Sequence, residues 1–141
     1  MSQKKIIGKR EIVSILDLEL FDLDVKIDTG ADSNSLHCDD IYIDDENFVH
    51  FTLLDKVHPA YHTKKIKMPL YKIKKVKSSN GTIQIRASIK VDILFFNKRY
   101  STVISLTNRS DMKYPMLIGR KFLANRFLVD VSQEYLTKAI K

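Results

Sequence analysis

Residues 25–37 read VKIDTGADSNSLH: apolar and charged side chains alternate through Val25, Lys26 and Ile27, and the run then breaks at Asp28-Thr29-Gly30. Alternation of this kind puts Val25 and Ile27 on one face of a strand and leaves Asp28 at its end. Asp and Gly are ordinary turn residues, so a surface turn accounts for the break. The sharper reading makes Asp28 the working group of an active site. The choice between them rests on the rest of the chain.

Moving outward, the hydrophobic period is mostly two. Residues 11–18 and 24–27 read as strands, the second delivering Asp28. In residues 48–54, Val49, Phe51 and Leu53 alternate with Phe48, His50 and Thr52. The clearest case is 83–96 (IQIRASIKVDILFF), with Ile83, Ile85, Ala87, Ile89, Val91 and Ile93 on one face. Asn97-Lys98 then turns the chain into a strand over 100–106. Upstream, Ser78-Ser79-Asn80-Gly81 is the strongest turn signal, because Asn-Gly suits the positive φ angles of a tight hairpin. It separates a lysine-rich strand from 83–96 and predicts a second, long hairpin. Near the end, 115–119 (PMLIG) reads as a short buried strand, 120–125 (RKFLAN) as one or two helical turns, and 127–131 as a strand. Many short strands, no internal repeat and no linker point to a mainly-β barrel or sandwich.

The composition sets the bounds. The 141 residues make one domain, expected over 8–135 with tails at 1–7 and 136–141; 44% are hydrophobic and 29% charged, which fits a folded chain. No apolar run is long enough to span a bilayer, and the lysines of MSQKKIIGKRE precede no apolar signal segment. Cys38 is the sole cysteine, so no intrachain disulfide forms and a reducing cytoplasm is expected. The net charge of +7 is unevenly spread: residues 39–46 carry five acids and no base, and 64–77 carry seven lysines and no acid. Solvated strand faces explain the pattern, with Ile66, Met68, Ile73 and Val76 turned inward. Its sign points to an acidic partner.

Two features gain weight together: an apolar strand ending in Asp28-Thr29-Gly30-Ala31, and, about ninety residues on, Met116-Leu117-Ile118-Gly119-Arg120 opening a short helix. In this order, with an Asn-Gly hairpin between them, they resemble the retropepsin-like aspartic proteases. The segments GKREIVSILDLELFDLDVKIDTGADSNSLH, KSSNG and LTNRSDMKYPMLIGRKFLANRFLVD resemble a bacterial branch of that family more closely. This is the RimB-like branch, associated with RimK and labelled ATP-dependent zinc protease. The resemblance extends over about residues 8–135.

It implies a closed β-barrel with one short C-terminal helix, active as a homodimer. One chain supplies one Asp-Thr-Gly, so a twofold axis would bring two Asp28 carboxylates together. Two such groups share a proton because adjacent like charges cannot both ionise, and one of them then activates a water that hydrolyses a peptide bond. The resemblance gives Thr29 a hydroxyl contact across the axis. Gly30 would let backbone N–H groups approach the carboxylate, and Ala31 would leave room for substrate. Ser78, Ser79, Asn80 and Gly81 would form a mobile flap tip. Asp32 and Arg120 would form a partly buried, bidentate ion pair bracing the loop. The RimB-like branch often carries a base at position 32, where this chain has an acid. The RimK association suggests an acidic or glutamylated protein substrate and a RimK-type ligase as partner.

Other chemistries fit less well. His37, Cys38, Asp39 and Asp40 cluster metal-binding side chains, with His50, His58 and His62 elsewhere, but none has a metal-site spacing; a structural His37 and a buried Cys38 are expected, and no metal. No phosphate-binding glycine loop is present, so no nucleotide cofactor is expected. An aspartyl-phosphate enzyme would need further acids or a lysine at fixed offsets and alternating helices. The non-enzyme alternative is a basic β-barrel that binds nucleic acid, with Tyr61 and Tyr71 available for stacking, or that serves as a silent adaptor for a ligase. Nucleic acid would leave Asp-Thr-Gly without a role.

Overall fold

The computed structural model describes residues 4–77, 80–108 and 112–139. Its strands, in chain order, are β1 (Lys5–Ile7), β2 (Arg10–Ile15), β3 (Leu20–Ile27), β4 (Asn34–Ile43), β5 (Phe48–Leu53), β6 (Lys65–Pro69), β7 (Lys72–Lys77), β8 (Ile83–Phe95), β9 (Lys98–Thr107), β10 (Met116–Ile118) and β11 (Phe127–Val129). The α-helix α1 spans only Arg120–Leu123, and 3-10 turns occupy Leu16–Leu18 and Leu136–Ala139.

Six strands close a barrel in the order β10-β3-β2-β8-β9-β4, with β4 pairing back onto β10. The three residues of β10 make the closure. Met116, Leu117 and Ile118 run parallel to Val25, Lys26 and Ile27 on one side, while Met116 and Leu117 run antiparallel to Leu36 and Ser35 on the other. All three are buried. A strand with partners on both edges has no solvent-facing backbone, which is why this run is apolar without alternation. The barrel interior is filled by alternate residues such as Val25, Ile27, Leu36, Ile89, Ile93 and Ile104. β5 and β6 extend the sheet from β4, and β7 pairs with β8.

The lysine-rich stretch divides at Pro69. β6 joins β5, and β7 turns away to join β8, so the lysines serve two different pairings. A proline lacks the N–H that a continued ladder needs. Ile66 is buried and Met68 packs against the core as expected, but Ile73 is 44% exposed; the side chain of Val76 lies outside the described residues. Ile83 and Ile85 share the alternation of Ala87, Ile89, Val91 and Ile93, yet they are 62% and 65% exposed. The β7–β8 hairpin continues past the barrel rim, where none of the described residues covers them.

The β8–β9 turn also falls one residue earlier than Asn97-Lys98. Phe95 pairs with Lys98, so Phe96 and Asn97 form the two-residue loop, with φ of 52° and 61°. A phenylalanine rarely adopts that conformation. Here its ring packs edge-on to Phe95 and under the Lys5 ammonium, contacts that hold it there.

Lys5–Ile7 and Leu136–Ala139, expected as parts of tails, lie against the domain. β1 pairs parallel with β11, and Ile7 is fully buried. Glu11 on β2, with no exposure, accepts hydrogen bonds from the N–H groups of Gly8, Leu136 and Thr137 and from the Thr137 hydroxyl. These four bonds satisfy the buried carboxylate, and they fasten the C-terminal turn to β2.

Candidate active site

Asp28 follows the last residue of β3 and is half-buried at the barrel mouth. Its backbone N–H donates to the Ile118 carbonyl at 2.8 Å, so the parallel β3–β10 ladder continues one residue into the loop. Its carboxylate Oδ1 accepts the Gly30 N–H at 3.0 Å, and its carbonyl accepts the Ala31 N–H at 3.2 Å. A Cβ on residue 30 would come within 3.3 Å of Oδ1. Glycine therefore gives the carboxylate room to approach the backbone N–H that it accepts from. Thr29 and Gly30 are exposed, and Ala31 is partly so.

The second half of the motif braces the first. The first N–H groups of a helix lack partners within it. In α1, Arg120 N–H donates to the Ala31 carbonyl at 2.8 Å and Lys121 N–H to the Asp32 carbonyl at 3.0 Å. The Arg120 guanidinium then forks: Nη1 donates to the Thr29 carbonyl at 3.0 Å, and Nη2 donates to Asp32 Oδ1. The expected Asp32–Arg120 pair is therefore formed, but with two differences. Only one nitrogen engages the carboxylate, because the other holds the loop backbone. The pair is also exposed, with side chains 65% and 52% accessible for Asp32 and Arg120. An exposed pair contributes little to stability; its effect here is positional.

A residue the sequence reading passed over completes the brace. Asn34 is buried at the start of β4; its Oδ1 accepts the Gly119 N–H at 3.1 Å, and its amide donates to Thr102 Oγ1 and the Val103 carbonyl. It joins the crossing strand, the exit of the Asp28 loop and β9. Its signal in the sequence was an amide at an inward-facing strand position just after the motif. Gly119 is held by space: a Cβ there would lie 2.6 Å from the Ser33 carbonyl oxygen.

Of the expected flap tip, Asn80 and Gly81 are described and Ser78 and Ser79 lie outside the described residues. Gly81 has a φ of 87°, and Asn80 Oδ1 accepts the Thr82 N–H. β7 and β8 pair from Lys72 with Ser88 to Lys77 with Ile83, so the hairpin exists as expected. Its exposed Ile73, Ile83 and Ile85 lie on the face that continues the barrel interior.

The other candidates have structural partners. Cys38 is fully buried, its thiol bonded to the Leu36 carbonyl, and burial pushes its pKa up to about 12. His37 is buried, and its backbone links Pro115 to Leu54. His50 pairs with Asp44, His58 lies between Asp55 and Asp24, and His62 accepts the Asp55 N–H. Among the described residues no cluster of three or more His, Cys, Asp or Glu side chains could hold a metal. A cavity of about 470 Å³ beside Ile12, Asp24, His58 and Phe96 includes no residue of the Asp28 loop.

A six-stranded closed barrel with Asp-Thr-Gly at its mouth, braced by a crossing Ile-Gly-Arg strand, defines the retropepsin-like class. A family model described as retropepsin-like aspartic endopeptidase RimB matches residues 6–139, and the chain belongs to this RimB-like family. Its fold is similar to a crystal structure of a Legionella pneumophila DUF785 protein of unknown function. The TM-score is 0.74 at 27% identity, covering 96% of this chain and 99% of that one. It is also similar to proteins named "Probable alpha-L-glutamate ligase". The Shewanella halifaxensis protein is 32% identical over 96% of this chain, and the Parasynechococcus marenigrum protein is 28% identical over 92%. The chain spans less than a third of these relatives' length, 30% and 28% respectively.

Proposed function

We propose that the chain is an aspartic endopeptidase whose site is completed by a second copy, Asp28 from each subunit meeting at a twofold axis. The observation that carries this reading is the locked loop. Asp28 is held by the Ile118 carbonyl and the Gly30 N–H, and Arg120 and Asn34 fix the surrounding backbone. Such effort to position one half-buried carboxylate at a barrel mouth suits chemistry that needs a second carboxylate opposite it.

In this mechanism the pair carries one proton. The ionised carboxylate takes a proton from water as its oxygen attacks the scissile carbonyl carbon. The protonated partner donates to the carbonyl oxygen, giving a tetrahedral diol. Proton transfer to the amide nitrogen then breaks the C–N bond, and both products leave without a covalent enzyme intermediate. The role of Thr29 is a hydroxyl contact between subunits, and the β7–β8 hairpin covers the substrate with Ile73, Ile83 and Ile85.

The charge of +7 and the lysines of β7 favour a carboxylate-rich peptide. Similarity to proteins named as glutamate ligases supports a glutamylated protein as substrate and a RimK-type ligase as partner; the sole cysteine, Cys38, fits a cytoplasmic setting. Purified chain incubated with glutamylated and unmodified peptides tests this reading. Hydrolysis of the glutamylated peptide that vanishes in Asp28→Asn is expected. Hydrolysis retained by Asp28→Asn overturns the role of Asp28, and equal, salt-insensitive rates on both peptides overturn the acidic preference.

A further inference from the structure

A groove of about 410 Å³ runs between the β7–β8 hairpin, β9 and α1. Lys72, Lys74 and Arg86 line it from the hairpin, and Lys121 and Arg126 from α1 and the turn that follows. No acid lines it among the described residues; the rest of its wall is mostly hydroxyl, including Ser33, Ser88, Ser101 and Ser105.

The register makes this more than a scatter of surface lysines. Lys74 stands directly opposite Arg86 on the paired strands. Like charges in that position repel and destabilise a sheet. Arg126 is oriented in advance, its Nη1 donating to the Phe122 carbonyl and its guanidinium stacked over the Phe122 ring. At the other end the groove reaches Ser33 and Asn34, the residues that follow the Asp28 loop. An anion in the groove would relieve the Lys74–Arg86 repulsion, and its charge would be screened less than on a flat surface.

We infer that this groove is an exosite for a carboxylate-rich stretch of polypeptide, which it holds between the hairpin and the α1–loop unit. The proposal rests on the peptidase reading for its purpose: acidic residues away from the scissile bond are bound here, and their binding ties the hairpin to the body of the domain. Acidic peptide is favoured over nucleic acid because, among the described residues, the groove has no stacking platform: the one aromatic side chain lining it, Phe122, is 4% exposed.

The test uses the full chain carrying Asp28→Asn, so that turnover cannot consume the probe. A labelled oligoglutamate peptide, an oligoglutamine peptide of the same length and an oligouridylate are titrated at low and high salt. Oligoglutamate is expected to bind at low salt and weaken steeply as salt rises, with oligoglutamine failing to bind. Adding Lys74→Gln and Arg86→Gln should weaken oligoglutamate by roughly tenfold or more, whereas the exposed Lys56→Gln in the β5–β6 connection leaves it unchanged. If the double variant does not fold, Lys121→Gln reads the same contact from the other wall. Unchanged affinity in the groove variants overturns the exosite, and so does tighter binding of oligouridylate. The two readings fail separately: binding as described with no hydrolysis by the native chain leaves the groove and removes the peptidase, and hydrolysis without groove binding does the reverse.

Discussion

Asn34 carries the least replaceable job at the scale of single residues. Its one side chain satisfies the Gly119 N–H and two groups on β9, so Asn34→Leu would leave the Gly119 donor buried without a partner. That costs about 1–3 kcal/mol. Urea unfolding should show a loss of that size, and turnover should fall further than Asn34→Asp allows, since Asp retains the acceptor for Gly119. Cys38 offers a cleaner check. Its thiol stays neutral in the fold, because burial pushes its pKa from the ordinary 9.0 up to about 12. The folded-state pKa is raised, so this group's contribution is complete below pH 9 and declines between pH 9 and 12 as the unfolded thiol ionises first. Iodoacetamide at pH 8 should leave native protein unlabelled and label it fully in denaturant. Rapid labelling of the native chain would contradict the burial.

Among elements, the informative one is β2, because it anchors the C-terminal turn through Glu11. Both carboxylate oxygens accept from N–H groups, so an amide at this position would point an N–H at another donor. Glu11→Gln should lower stability by about 2–3 kcal/mol. Hydrogen exchange should locate the effect in the amides of Leu136 and Thr137 before the barrel strands open. The elements also show what could be read in advance. Strands whose alternation faces a covered core, such as β5, appear with nearly the expected bounds. β4 was not anticipated: Asp39 and Asp40 interrupt its pattern at a bulge, where Asp40 takes a φ of 51°. The hairpin's isoleucines follow a core-like period beyond the core's edge, because periodicity reports the face a side chain takes and says nothing of whether that face is covered. In the site, Asp28, Asp32 and Arg120 were legible from the two-part motif. Asn34 was not, because its partners are set by the barrel closure and not by neighbours in sequence.

For the molecule as a whole, the closed barrel holds a single Asp28, and a dyad requires two chains. In the proposed shared site neither chain is active alone. Native and Asp28→Asn chains refolded together in equal amounts, with peptide hydrolysis measured at a fixed total concentration, put this to the test. If the site is shared, only native–native pairs work, and activity should be about a quarter of the all-native value. A chain that hydrolyses by itself would retain about half, and that result would contradict the shared dyad.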